Sequence, residues 1–126
     1  MKPRLVSEAL AVRQRAYAPY SRFLVGAAIL SNGQVFVGCN VENASFGLTC
    51  CAEQMAVGAM VAAGQRRIDL IAIAADPLAT PCGACRQILA EFGLEALVIL
   101  VDPHGHCQET TVRELLPQAF QLPLKP

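Results

Sequence analysis

The spacing of apolar residues changes several times along the chain, and each change marks a predicted element. From Arg4 to Arg15, Leu5, Ala9 and Val12, with Ala16 just beyond, recur at helical spacing with charged residues between them. This predicts an amphipathic helix ending before Ala18-Pro19, because the residue ahead of a proline is pushed out of the helical region. Two β-rich runs follow, Leu24 to Leu30 and Val35 to Cys39, separated by Ser31-Asn32-Gly33-Gln34. An Asn-Gly pair between such runs predicts a hairpin. Cys51 to Ala63 returns to helical spacing, with Ala52, Met55, Ala56, Ala59, Met60 and Ala63 on one stripe and Gly64 as the stop. On that stripe the methionines read as core packing.

Ile68 to Ala75 is apolar except for Asp69, as expected of a strand buried on both faces, and Leu97 to Val101 is a second such run. Between them, Pro81 opens a helical stretch in which Cys82, Cys85, Ile88, Leu89 and Phe92 share a face, closed by Gly93. Gln108 to Val112 reads as a short edge strand and Arg113 to Leu116 as a helical turn stopped by Pro117. Strands alternating with helices after a hairpin predict an α/β layered domain with a mixed sheet. No repeat, linker or low-complexity segment interrupts residues 1–126, so one domain is expected.

Composition narrows the class. With 126 residues and 54% hydrophobic content the chain can bury a core without a metal and is not disordered. Ten basic and ten acidic residues cancel, which removes the electrostatic footprint of a binder of nucleic-acid polymers or anionic membranes. The first seventeen residues break their apolar positions with Glu8, Arg13 and Arg15, unlike a secretion signal, and no apolar run is long enough for a membrane span. A soluble, cytoplasmic protein is expected. Six cysteines allow three disulfides in an exported protein, but in a reducing compartment clustered cysteines hold metal or do chemistry.

Two cysteine clusters sit at predicted helix starts, Cys51-Ala52-Glu53 and Pro81-Cys82-Gly83-Ala84-Cys85. The free N–H groups and positive dipole end there favour thiolate over thiol. Cys82 and Cys85 can grip one ion, and Cys51 can supply a third thiolate. Three protein ligands leave one tetrahedral position open, as in catalytic zinc sites. Glu53, two residues after a candidate ligand, can collect and return a proton without binding the metal. Two plainer readings stay open. Cys82 and Cys85 alone can form a redox pair, which leaves Cys51-Ala52-Glu53 unexplained, and a closed structural site needs Cys50 as fourth ligand. Cys39, Cys50 and Cys107 otherwise read as small buried hydrophobes. His104 and His106 read as a polar turn, and Arg66-Arg67 as a solvated helix exit.

The two cysteine motifs resemble the signature of zinc-dependent nucleobase deaminases. With Tyr20-Ser21-Arg22-Phe23, Val25-Gly26-Ala27-Ala28, Gly38-Cys39-Asn40-Val41-Glu42-Asn43-Ala44-Ser45 and Glu114-Leu115-Leu116-Pro117, nearly the whole chain resembles the small, homotetrameric cytidine deaminases. The resemblance implies a three-layer α/β/α fold with a five-stranded mixed sheet, one zinc per subunit, and hydrolysis of cytidine and 2'-deoxycytidine to the uridine nucleosides and ammonia. It implies zinc held by Cys51, Cys82 and Cys85, with Glu53 moving the protons. Asn40 and Glu42 would hold the ribose and Phe23 would pack near the pyrimidine. Backbone groups of Ala44, Ala52 and Thr80 would meet the sugar, the base carbonyl and the departing amine. Phe120 resembles an aromatic lent to a neighbouring subunit's pocket, so a homotetramer with shared sites is implied.

Three positions depart from the family pattern. Gln54 stands where Arg is common, so it offers hydrogen bonds but no charge to the thiolates, unless Arg86 or the helix dipoles compensate. Replacing Gln54 by Arg is expected to shift the acid limb of the pH–rate profile downward. Leu24 replaces a frequent Pro and Phe46 a frequent Tyr, which bears on substrate preference. A relative acting on modified or N-acylated cytosine nucleosides, or a blasticidin-type deaminase, is the alternative enzyme reading.

Overall fold

The computed structural model describes residues 1–124. Chain order is α1 (Lys2–Arg13), β1 (Val25–Ser31), β2 (Gln34–Cys39), α2 (Ala52–Ala62), β3 (Leu70–Ala75), α3 (Gly83–Phe92), β4 (Leu97–Val101), β5 (Cys107–Thr111) and α4 (Val112–Leu115). A single 3-10 turn covers Phe46–Leu48. The strands form one mixed sheet in the order β2-β1-β3-β4-β5, parallel only between β3 and β4. The expected Asn-Gly turn is present: Asn32 and Gly33 both have positive φ, 50° and 78°, and Ser31 pairs with Gln34 across it.

Strand alternation divides the core in two. Ala27, Ile29, Ile71, Ile73, Val98 and Leu100 face α2 and α3, whereas Ala28, Leu70, Ala72, Ala74, Ile99 and Val101 face α1 through Leu5 and Ala9. With both faces covered, β3 is buried at all six positions, which accounts for its unbroken apolar sequence. The result is the three-layer α/β/α arrangement with a five-stranded mixed sheet. No helix among the described residues is long and apolar enough to cross a membrane.

One glycine sets how closely the sheet meets the helix that carries Glu53. A Cβ on Gly38 of β2 would lie 2.4 Å from the Ala56 amide nitrogen and 2.6 Å from the Ala52 carbonyl oxygen, both backbone atoms of α2. Backbone cannot yield as a flexible side chain can, so only glycine lets α2 lie directly on β2.

Several expectations need correction. The first helix begins at Lys2, with Pro3 in its first turn, where its missing N–H has no intrahelical partner to lose. It ends at Arg13, after which Gln14, Arg15 and Ala16 make tighter i→i−3 bonds. On α2 the inward stripe is Ala52, Ala56, Val57 and Met60, so Met55, 41% exposed, and Ala59 face outward. Val57, left out of the predicted stripe, rotates the buried face by a residue. Cys39 and Cys50 are only half-buried, and Cys107 is exposed because the edge strand β5 presents most of its length to the surface.

Candidate active site

Helices α2 and α3 begin at the same end of the sheet, beyond the carboxyl ends of β2 and β3, where ligands of open α/β sheets commonly bind. Cys51 and Cys82 are the N-cap residues of these two helices, both in extended conformation. Cys85 lies one turn into α3 and is fully buried. The local sequence therefore does two things at once. It caps two helices and aims both caps at the first turn of α3.

The three sulfur atoms all lie within 4.8 Å of one another. A tetrahedral ion with metal–sulfur bonds of about 2.3 Å separates its ligands by about 3.8 Å, so the cluster matches zinc in donor type, number and spacing. Burial pushes the thiols of Cys51 and Cys85 up, and nearby Glu53 adds to this. Cys82 is held below the usual thiol range, chiefly by the Cys85 N–H in the first turn of α3, against its partial burial, with smaller help from the Cys85 and Cys51 thiols and the Ala84 N–H. Three such groups beside a carboxyl repel one another when ionised, and a divalent cation reverses that balance. Cys50 does not join them. Its thiol faces the Leu48 carbonyl at 3.8 Å, leaving three protein donors and an open fourth position.

Glu53, in the first turn of α2, is 5% exposed. Burial pushes its carboxyl above the ordinary carboxylate range, against the opposing pull of its own backbone and of Cys85. A carboxyl raised in this way, at the edge of a metal cluster but outside it, is suited to accept and return a proton.

Glu53 lines a cavity of about 280 Å³. Its walls are Cys51, Ala52, Glu53, Ala79, Thr80 and Cys82, from the two segments that carry the cluster, together with Ser21, Phe23, Asn40, Glu42 and Thr49, and with Val25 and Ile73 from the sheet. Asn40 is buried and braces the start of β1: its Oδ1 accepts from the Val25 N–H at 2.9 Å and its Nδ2 donates to the Phe23 carbonyl at 2.8 Å. One N–H and one lone pair of that amide remain for a ligand. Glu42 accepts from the backbone N–H groups of Tyr20 (3.0 Å) and Ser21 (3.1 Å) and from the Ser21 hydroxyl. The Ser21 hydroxyl contributes most to holding its carboxyl below the ordinary range.

The structure thus gathers Cys51, Cys82, Cys85, Glu53, Phe23, Asn40, Glu42, Ala52 and Thr80 around one cavity. It does not bring Ala44, Gln54, Arg86 or Phe120 to that cavity. Phe120 is 67% exposed on the tail after α4, beside Leu122 and Leu124, and its carbonyl accepts from Gln87 Nε2 at 3.0 Å. Arg86 turns its guanidinium to Pro81, Leu115 and Thr80 instead of the sulfurs. The sequence reading gave no role to Ser21. Its hydroxyl also accepts from the Phe23 N–H at 3.0 Å, so it fixes two cavity residues at once. A serine two residues from the cavity phenylalanine was the available signal. His104 and His106 form the expected polar turn, their N–H groups on Asp102 Oδ1 and the His106 ring on Asp102 Oδ2.

Residues 2–101 match the family model described as the cytidine and deoxycytidylate deaminase zinc-binding region. A cytidine deaminase from Halalkalibacterium halodurans is 49% identical over 120 residues, covering 92% of this chain and 91% of that protein. One from Sporosarcina psychrophila is 44% identical over 122 residues, covering 93% and 89%. The crystal structure of cytidine deaminase from Burkholderia pseudomallei superposes with a TM-score of 0.91 at 45% identity, covering 95% of this chain and 99% of that one.

Proposed function

The chain belongs to the cytidine and deoxycytidylate deaminase family, and from that premise we infer what its own residues do in the reaction. The protein is a zinc-dependent hydrolase that converts cytidine and 2'-deoxycytidine, with water, to the uridine nucleosides and ammonia. The observation that carries this is the three-sulfur cluster at one end of a cavity whose one buried carboxyl, Glu53, is not a member of it.

Cys51, Cys82 and Cys85 hold the zinc, one per chain. When bound, zinc supplies a Lewis acid that makes water a competent nucleophile near neutral pH. Glu53 accepts a proton from the attacking water and delivers it to the ring nitrogen adjacent to the carbon under attack. It then takes the water's second proton, now on the hydroxyl of the attacked carbon, and passes it to the exocyclic amine, so that the C–N bond breaks as the carbonyl forms and ammonia leaves. The backbone of Ala52 meets the base carbonyl and that of Thr80 the departing amine, while Phe23 packs beside the pyrimidine. Gln54, in the first turn of α2 three residues after Cys51, brings an amide without charge. The test is uridine release that a chelator stops and added zinc restores. A zinc-replete, folded chain that leaves cytidine intact contradicts the reading.

Asn40 and Glu42 receive the sugar hydroxyls, and this assigns the non-metal end of the cavity to the ribose. Glu42→Ala is expected to raise KM for cytidine about 10–100-fold, in keeping with loss of a hydrogen bond to a charged group. Zinc content should stay at one per chain. Steady-state kinetics check this, and an unchanged KM removes Glu42 from the sugar site.

The whole chain, 1–126, acts as one domain and as a cytoplasmic homotetramer in which Phe120 reaches a neighbour's cavity, and the backbone of Ala44 meets the sugar. Support comes from the large apolar side chains left exposed, Phe46 at 73%, Leu48 at 65% and Phe120 at 67%, which contact with neighbouring chains would bury. Sedimentation is expected to give four chains per particle. A monomer active at assay concentration contradicts site sharing.

A further inference from the structure

The cavity wall between β3 and α3 is the segment 76–82. Among the described residues, no backbone–backbone hydrogen bond reaches Asp76 to Pro81 beyond the strand end. Side chains anchor it instead. Arg86 Nε donates to the Pro81 carbonyl at 2.7 Å and Nη2 to Thr80 Oγ1 at 3.0 Å, while Nη1 crosses to the Leu115 carbonyl of α4 at 2.8 Å. At the start of the segment, His104 Nε2 lies 3.1 Å from Asp76 Oδ2. The Thr80 N–H and C=O take no partner among the described residues, although Thr80 lines the cavity with Glu53 and Cys82.

A guanidinium suits this junction for a geometric reason. Its planar fork presents donors in three directions at fixed angles, whereas a lysine ammonium is a compact charge on a flexible stem. Proline has no N–H, so the carbonyl is Pro81's only backbone handle. Arg86 takes that handle and the Thr80 hydroxyl together, and fastens both to α4.

We propose that Arg86 is a positioning residue for the deamination, holding Thr80 and Pro81 so that the free Thr80 backbone faces the leaving amine. This rests on the deaminase reading of the cavity. The carbon that loses the amine must meet water and Glu53, so the amine lies near the cluster. Ala79 and Thr80, both on the wall segment that leads to Cys82, have backbone groups without partners among the described residues, and of the two it is Thr80 that Arg86 holds. Arg86 itself touches no substrate. The sugar end is braced separately through Ser21, Glu42 and Asn40, so loosening the Thr80 wall acts on kcat more than on KM.

The test compares Arg86→Gln, Arg86→Lys and Thr80→Val with the parent, each per zinc-loaded chain. Arg86→Gln is expected to lower kcat for cytidine about 10–100-fold, as misplacement of a positioning group by about 1 Å does, with KM changed less than about threefold. Arg86→Lys fails to rescue it. Thr80→Val, which removes one of the three acceptors, costs about 2–10-fold in kcat, the net worth of one hydrogen bond. Thr80→Ser recovers most of that loss. The ratio of kcat/KM for N4-methylcytidine over cytidine rises in the Arg86 variants and in Thr80→Val, because a loosened wall admits the extra methyl. Zinc passes to a chelator faster from Arg86→Gln, since Cys82 ends the same segment.

A lower melting temperature with unchanged kcat and unchanged amine selectivity overturns the proposal, as does full activity in Arg86→Lys. If the parent itself fails to deaminate cytidine, the deaminase reading falls and the chelator comparison decides whether Arg86 holds the segment. Equal zinc release from parent and Arg86→Gln then overturns it.

Discussion

Glu53→Ala is expected to lower kcat on cytidine by about 10⁴-fold while leaving one zinc per chain, the upper range for loss of a single general acid–base group. The size of the effect follows from the position. Glu53 is the buried carboxyl of the cavity, 5% exposed, and it stands beside the sulfur cluster without joining it. Two proton transfers depend on one group, so both deprotonation of water and departure of ammonia suffer together. Glu53→Gln keeps the shape and a hydrogen-bonding head but cannot carry a proton, and it should fall nearly as far. Nucleoside binding, measured by titration, should change little in either variant. A Glu53→Gln enzyme within tenfold of the parent would move the proton shuttle elsewhere.

Cys85→Ala should have the second-largest effect and a different signature. Cys85 is fully buried between the two helix caps, and its sulfur is within 4.8 Å of both Cys51 and Cys82. Two thiolates and water hold zinc far less tightly than three. The loss of affinity should exceed the roughly 10–100-fold that follows removal of a hydrogen-bonding partner outside the ligand set. The purified variant is therefore expected to carry well under one zinc per chain, to show no measurable turnover, and to melt at the temperature of the chelator-treated parent. Metal analysis and thermal melts check this together. Full zinc occupancy in Cys85→Ala would show that another donor completes the site.

Local chemistry made the sequence readable where it was readable. Asn32-Gly33 carries its own backbone preference, and the unbroken apolar run of β3 reports burial on both faces. Cys51 and Cys82 fell at helix starts for reasons visible within a few residues. The structure then shows both as N-caps converging on Cys85. What escaped was long-range. The Ser21–Glu42 contact joins residues 21 apart, and the Arg86–Leu115 contact joins residues 29 apart, so neither leaves a periodic trace. The burial of α2 was misjudged at Met55 because alanine and glycine on most sides of that helix leave its apolar face ambiguous. Cys107 read as buried by residue type, whereas its place on an edge strand decides its exposure.

The central claim is hydrolysis at the amine-bearing carbon with Glu53 as proton carrier. It is tested most directly by supplying cytidine to the zinc-loaded parent and to Glu53→Ala in ¹⁸O-labelled water and following uridine and ammonia by mass detection. The account predicts one labelled oxygen per uridine, one ammonia released for each, and neither product above background from the variant. Unlabelled uridine, ammonia without uridine, or equal turnover by Glu53→Ala would contradict it.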